Sequence, residues 1–140
     1  MKTTNLNNCF GCGKDNPIGL HLKNSYIGEK SHIQFEVKTQ YCGYPGLMHG
    51  GVTGILFDEV MFYAIARLDI ETVTLTMNIE YISPALEGHI LICEAEIENH
   101  DGRKIDVVAE INDAETGKLI GKSKGKFLEV DLDKVLKNSN

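Results

Sequence analysis

The chain has 140 residues, of which 42% are hydrophobic and 24% charged, the balance of a soluble globular protein and not of a disordered one. That length fits one compact domain over residues 1–140. With 14 Lys+Arg against 20 Asp+Glu the net charge is −6, so the chain lacks the basic footprint that nucleic acid or an anionic membrane requires. No apolar run approaches the ~18 residues that cross a bilayer. Residues 1–8 are polar, unlike a secretory signal, so the expected compartment is cytoplasmic, where four cysteines serve as thiols or metal ligands.

Residues 1–18 are read as a loop, because Asn7, Asn8, Gly11, Gly13, Asn16 and Pro17 supply turn chemistry around a Cys9-Phe10-Gly11-Cys12 pair. Extended segments are predicted near 19–27 and 31–38. In the second, Ile33, Phe35 and Val37 alternate with polar residues, as in a half-buried strand. Cys42 to Gly46 break into a loop. From Gly50 to Leu68 the chain is apolar on nearly every side, with Val52, Ile55, Leu56, Val60, Met61, Phe62, Tyr63 and Ile65, which predicts one long buried helix.

Four strands are predicted after it. Val73, Leu75, Met77, Ile79 and Tyr81 alternate with Thr74, Thr76, Asn78 and Glu80; Cys93, Ala95 and Ile97 alternate with Glu94, Glu96 and Glu98; Ile105, Val107, Ala109 and Ile111 repeat the pattern. The last, near 118–130, sets Gly121, Ser123 and Gly125 opposite Lys122, Lys124 and Lys126. Small residues inside a strand mark the close approach of another element, here the helix. Residues 131–140 read as a polar tail. The periodicity predicts an α+β fold, an antiparallel sheet curled around one central helix.

Chemistry concentrates between His49 and Glu59. Gly50 and Gly51 open the helix, where free N–H groups and the positive dipole end favour a partly negative oxygen. Asp58 and Glu59 sit in the middle of the same apolar helix, and a carboxylate that loses hydration becomes a usable base or nucleophile. A plainer arrangement fits the same residues: the glycines as a tight helix entry, and either acid facing solvent or pairing with Arg67.

Four segments, in order, carry a resemblance: Cys9-Phe10-Gly11-Cys12-Gly13 with Asn16-Pro17-Ile18-Gly19-Leu20; Gly43-Tyr44-Pro45-Gly46 leading to His49-Gly50-Gly51; Asp58-Glu59; and Asn78-Ile79-Glu80-Tyr81-Ile82-Ser83-Pro84. From Cys9 to Val130 the chain resembles the hotdog-fold acyl-CoA thioesterases, in the group related to the phenylacetate-pathway (PaaI-like) enzyme. The resemblance implies that Asp58 is general base or nucleophile, that the Gly50 N–H polarises the thioester carbonyl, that Thr74 places the water or the carboxylate, and that His49 shapes the helix start. Gly51, Glu59, Phe62, Arg103 and Lys104 are the expected substrate contacts, the last two toward the phosphates of coenzyme A. Met61, Phe62 and Tyr63 fit an acyl pocket or plain core packing equally. The expected substrate is a small or medium acyl-CoA, with no metal or organic cofactor beyond the coenzyme A of the substrate. Related enzymes often carry Asn or Gln at the position of Gly43.

Gly50 and Asp58 are eight residues apart on one helix, about 12 Å along its axis, so they cannot reach one carbon from the same chain. Their joint action requires a homodimer, and a homotetramer is compatible with it. Two rival readings remain: a hotdog acyl-thioester hydratase or dehydratase, whose His motif fits poorly, and a non-catalytic acyl-CoA-binding module, which Gly43 favours. His21 and Cys42 could complete a zinc set with Cys9 and Cys12, but no second paired motif follows, so two thiols packed over the sheet are expected instead.

Overall fold

The computed structural model describes residues 5–139. In chain order it contains β1 (Asn24–Ile27), β2 (Lys30–Glu36), a 3-10 turn (Thr39–Tyr41), α1 (Gly50–Ala66), β3 (Thr72–Tyr81), β4 (Ile90–Asp101), β5 (Lys104–Asp113), β6 (Leu119–Glu129) and α2 (Leu132–Asn138). The strands form one six-stranded antiparallel sheet in the order β1-β2-β4-β5-β6-β3, with α1 packed against it. This is the hotdog arrangement expected above. No helix among the described residues is long and apolar enough to cross a membrane.

Register explains how a helix without a polar face is accommodated. The helix-facing residues stack in rows: Cys93, Ile111, Gly121 and Tyr81; then Ala95, Ala109, Ser123 and Ile79; then Ile97, Val107, Gly125 and Met77. Small residues in the middle of these rows form a trough. Phe57 lies over Gly121, where an added Cβ would stand 3.5 Å from its ring, and Met61 lies over Gly125, where a Cβ would be 2.7 Å from Sδ. Leu56, Phe57, Val60 and Met61 are thereby fully buried, each contributing about 1.5–3 kcal/mol of transfer free energy. The opposite face is charged: His32, Glu94, Glu110, Lys122 and Glu80 form one row across five strands. A shallow depression of about 390 Å³ lies among them, away from the helix start.

Besides register shifts between Ile97 and Asn99 and between Ile111 and Asn112, the structure departs from simple periodicity in three ways. Residues 19–23 do not extend β1, because Leu20 and Leu22 donate to Phe10 and Gly11 carbonyls at 3.0 and 2.9 Å, and His21 takes a left-handed φ of 53°. The polar tail begins with a short helix, capped by the Asp131 carboxylate on the Lys134 N–H at 3.3 Å. A bulge interrupts β3 between Thr74 and Thr76.

An added Cβ at Gly121 would be 2.8 Å from the Glu80 carbonyl oxygen, so Gly121→Ala should destabilise the fold by about 1–3 kcal/mol in urea denaturation. Asp113 closes the β5–β6 turn, accepting from Glu115 and Thr116 N–H at 2.8 and 3.1 Å and meeting His89 Nδ1 at 2.7 Å. The hydrogen bond to Asp113 holds the His89 pKa above its ordinary value, against desolvation. Burial opposes the Asp113 charge, but His89 and the two N–H donors prevail and lower its pKa. The His89 contribution is therefore full below about pH 6.5 and lost as pH rises through the folded value. Denaturation measured against pH should show the gap between wild type and His89→Gln shrinking over that rise; a constant gap would refute the ion pair.

Candidate active site

The start of α1 is built by an unusual cap. His49 has φ −60° and ψ 134°, and its Nδ1 accepts the Gly51 N–H at 2.8 Å, so the neutral ring carries its proton on Nε2. The His49 carbonyl accepts from Val52 at 3.0 Å. These bonds use the neighbouring donors and leave the Gly50 N–H with no acceptor among the described residues. The Tyr81 hydroxyl donates to the Gly50 carbonyl at 2.8 Å, and its ring stands over the glycine. A cavity of about 280 Å³ opens beside this point, lined by Met48, Gly50, Thr53, Tyr81, Pro84 and Ile120 among others. An exposed donor at a helix N-terminus, next to a cavity, suits a developing oxyanion.

Two turns along the helix, Asp58 Oδ1 accepts from the Thr74 hydroxyl at 2.8 Å. Strict alternation would place Thr74 opposite Met77, turned from the helix. The bulge at Leu75 resets the phase, so that Thr74 pairs with Phe127 and Met77 with Gly125, all on the helix side. Asp58 is half-buried and faces β3, whereas Glu59 is buried and faces the N-terminal loop. Desolvation lifts the Glu59 carboxyl above the usual range, against hydrogen bonding from the Cys9 and Cys12 thiols and with a small push from the Asp58 charge. Arg67 pairs with neither acid; its guanidinium lies 5.3 Å from the Tyr26 ring centre.

The other expected contacts are dispersed. Gly51 has its N–H taken by His49, Phe62 packs edge-on against Tyr63 at 5.1 Å, and Arg103 Nε donates to the Glu129 carbonyl at 3.1 Å. Lys104 shares a row with Leu128 and Val73, one step from the Thr74 row, so Arg103 and Lys104 sit at the Asp58 end of the sheet. A side chain at Gly43 would begin 3.4 Å from the His49 ring. Cys42 lies 3.8 Å from Glu87, and His21 contacts the Asn16 carbonyl at 2.6 Å, so neither joins Cys9 and Cys12. That pair packs on α1, not over the sheet. Sequence reasoning missed Tyr81 as a neighbour of Gly50; its only signal was an aromatic at the end of a strand facing the helix start.

Comparison with known proteins identifies the family and the fold. A family profile for the thioesterase superfamily matches residues 45–120. The chain belongs to that superfamily. Curated relatives include an uncharacterized protein of Schizosaccharomyces pombe, 26% identical over 110 residues, 73% of this chain and 61% of that one. Acyl-coenzyme A thioesterase 13 of Mus musculus is 29% identical over 98 residues, 69% of this chain and 70% of that one. Among solved structures, a thioesterase superfamily protein aligns with TM-score 0.80 and 24% identity, covering 87% of this chain and 60% of its own. The PaaI protein of E. coli aligns at 0.74 and 18%, covering 80% and 81%. A hypothetical thioesterase protein of Streptococcus pneumoniae with coenzyme A aligns at 0.73 and 18%, covering 78% and 85%. The chain thus spans about three fifths of the S. pombe relative and of the first of these structures.

The helix start can be tested without any assay of function. Gly50 is the first helical residue, where proline is favoured, and the His49 backbone already has the extended conformation that a following proline demands. Gly50→Pro should therefore fold with stability within about 1 kcal/mol of wild type, by circular dichroism and urea denaturation, while lacking the unpartnered N–H.

Proposed function

We propose that this protein hydrolyses small or medium acyl-CoA thioesters to a free acid and coenzyme A. The observation that carries the reading is the pairing on one helix of an unpartnered Gly50 N–H and a carboxylate, Asp58, fixed by Thr74. Superfamily membership, the similarity to mouse acyl-coenzyme A thioesterase 13 and the fold shared with a coenzyme A-bound thioesterase protein support it.

The reaction needs Asp58 of one subunit and Gly50 of the partner subunit, because the two lie about 12 Å apart along α1. β3 suits such an assembly: it ends the sheet as a ten-residue strand whose outer edge is unpaired among the described residues, with Leu75, Tyr81 and Ile82 exposed. In the general-base route, Asp58 takes a proton as water adds to the thioester carbon, and the Gly50 N–H accommodates the oxyanion. Collapse breaks the C–S bond, and the thiolate leaves with the proton held by Asp58. In the nucleophile route, Asp58 attacks the thioester carbon, the C–S bond breaks and the thiolate leaves, and water opens the resulting mixed anhydride at the Asp58 carboxyl carbon. Single turnover in ¹⁸O-water separates the two, since only the second leaves the product's new oxygen derived from Asp58. Arg103 and Lys104 supply positive charge for the coenzyme A phosphates at the Asp58 end of the sheet.

Chromatographic release of coenzyme A from a panel of acyl-CoAs should fall at least about 100-fold in both Asp58→Asn and Gly50→Pro. Mixing the two inactive variants should restore up to about a quarter of wild-type activity, because half the dimers are mixed and each carries one intact site. No release from any acyl-CoA by folded wild type would replace this reading with an acyl-CoA-binding module.

A further inference from the structure

The Cys9-Phe10-Gly11-Cys12 turn and Glu59 form a second cluster that the thioester chemistry does not use. Cys9 Sγ, Cys12 Sγ and a Glu59 carboxylate oxygen lie within 4.8 Å of one another. The Cys9 thiol donates to Glu59 Oε1 at 3.4 Å, while Oε2 is buried with no hydrogen-bond partner among the described residues. Glu59 is only 9% exposed, and an unsatisfied carboxylate oxygen at that depth is costly.

Local geometry prepares the site. The Gly13 N–H donates to the Cys9 carbonyl at 2.8 Å and closes a tight turn between the two thiols. Gly11 passes so close to Glu59 that a Cβ there would overlap its carboxylate. A tetrahedral ion with sulfur at about 2.3 Å and oxygen at about 2.1 Å spaces those ligands about 3.6 Å apart, close to the separation of Cys9 and Glu59. Tyr63, one turn along α1 from Glu59, lies on the same side of the helix as the cluster and interacts with Cys12. Burial pushes the Cys12 thiol up to about 12.

We propose that Cys9, Cys12 and Glu59 bind one zinc-type divalent cation, with water as the fourth ligand, clipping the N-terminal loop to α1. The thiols, and Glu59 if protonated, release their protons to solvent as the ion enters. Soft sulfur with one carboxylate favours zinc over calcium or magnesium. The site stands apart from the Asp58–Thr74 pair and does not depend on the thioesterase reading.

The test uses full-length protein, reduced and stripped with a chelator, titrated with Zn²⁺ and separately with Co²⁺. Expected results are one ion per chain bound more tightly than about 1 μM, and a thermal midpoint raised by at least about 5 °C at saturating zinc. Co²⁺ should give a thiolate charge-transfer band in the near ultraviolet with the intense visible bands of tetrahedral cobalt. Cys9→Ser and Cys12→Ser should each weaken binding at least about 100-fold, and Glu59→Gln at least about 10-fold, while Cys42→Ser leaves it unchanged. Because the cobalt spectrum is read on wild type, unfolding of a variant cannot decide the outcome. Absence of one-to-one uptake, a spectrum without thiolate bands, or binding unaltered in folded Cys9→Ser would overturn the proposal. So would wild type that forms a Cys9–Cys12 disulfide in air and, once reduced again, takes up no metal.

Discussion

The contact between α1 and the middle of the sheet governs the rest of the molecule. A helix that is apolar all round must be covered closely, and backbone can approach only where strands lack bulk. Gly121, Ser123 and Gly125, with Ala95 and Ala109 beside them, provide that space, and Phe57 and Met61, one helical turn apart, occupy it. The helix cannot slide along this trough without driving a ring or a thioether into backbone. Its first residue and its two acids are therefore held at set heights above the sheet, and Thr74 and Tyr81 meet them from β3.

A second consequence follows from helical geometry. Asp58 and Glu59 are chain neighbours, yet successive residues project about 100° apart. One turns to β3 and a hydroxyl, the other to the N-terminal loop and two thiols. The same two-residue motif thus serves two environments of different polarity, one half-open and one closed. Seventeen residues of helix carry a start with an unpartnered N–H, a hydrogen-bonded carboxylate and a thiol-facing carboxylate without any of them sharing a partner among the described residues.

Much of this was legible in the sequence because it is periodic. Alternation in Ile33 to Val37, Cys93 to Ile97 and Ile105 to Ile111 gave real strands, and the unbroken apolar run gave α1. The glycines of β6 announced the helix that lies on them. What escaped was aperiodic or long-range. The bulge at Leu75 adds one residue and inverts every side chain before it, which no reading by twos detects. His21 breaks its segment through a left-handed backbone that its residue type does not announce. Glu59 meets Cys9 across fifty residues, so spacing between cysteines says nothing of it. The Asp58–Thr74 contact was legible only through family resemblance.

The position of α1 in the chain also sets a timetable for folding. β4, β5 and β6, which supply the trough, are all translated after the helix, and among the described residues β3 finds its one sheet neighbour in β6, the last strand. At about 5–20 residues per second, the stretch from Ala66 to Glu129 takes roughly 3–13 s to synthesise, and through that interval only β1, β2 and the N-terminal loop are available to cover α1. Closure comes late and all at once, when Gly121 and Gly125 emerge and β6 can bring in β3. The pairing of β3 with β6 is therefore a long-range contact that forms only once the last strand is available, the kind of closure that slows folding.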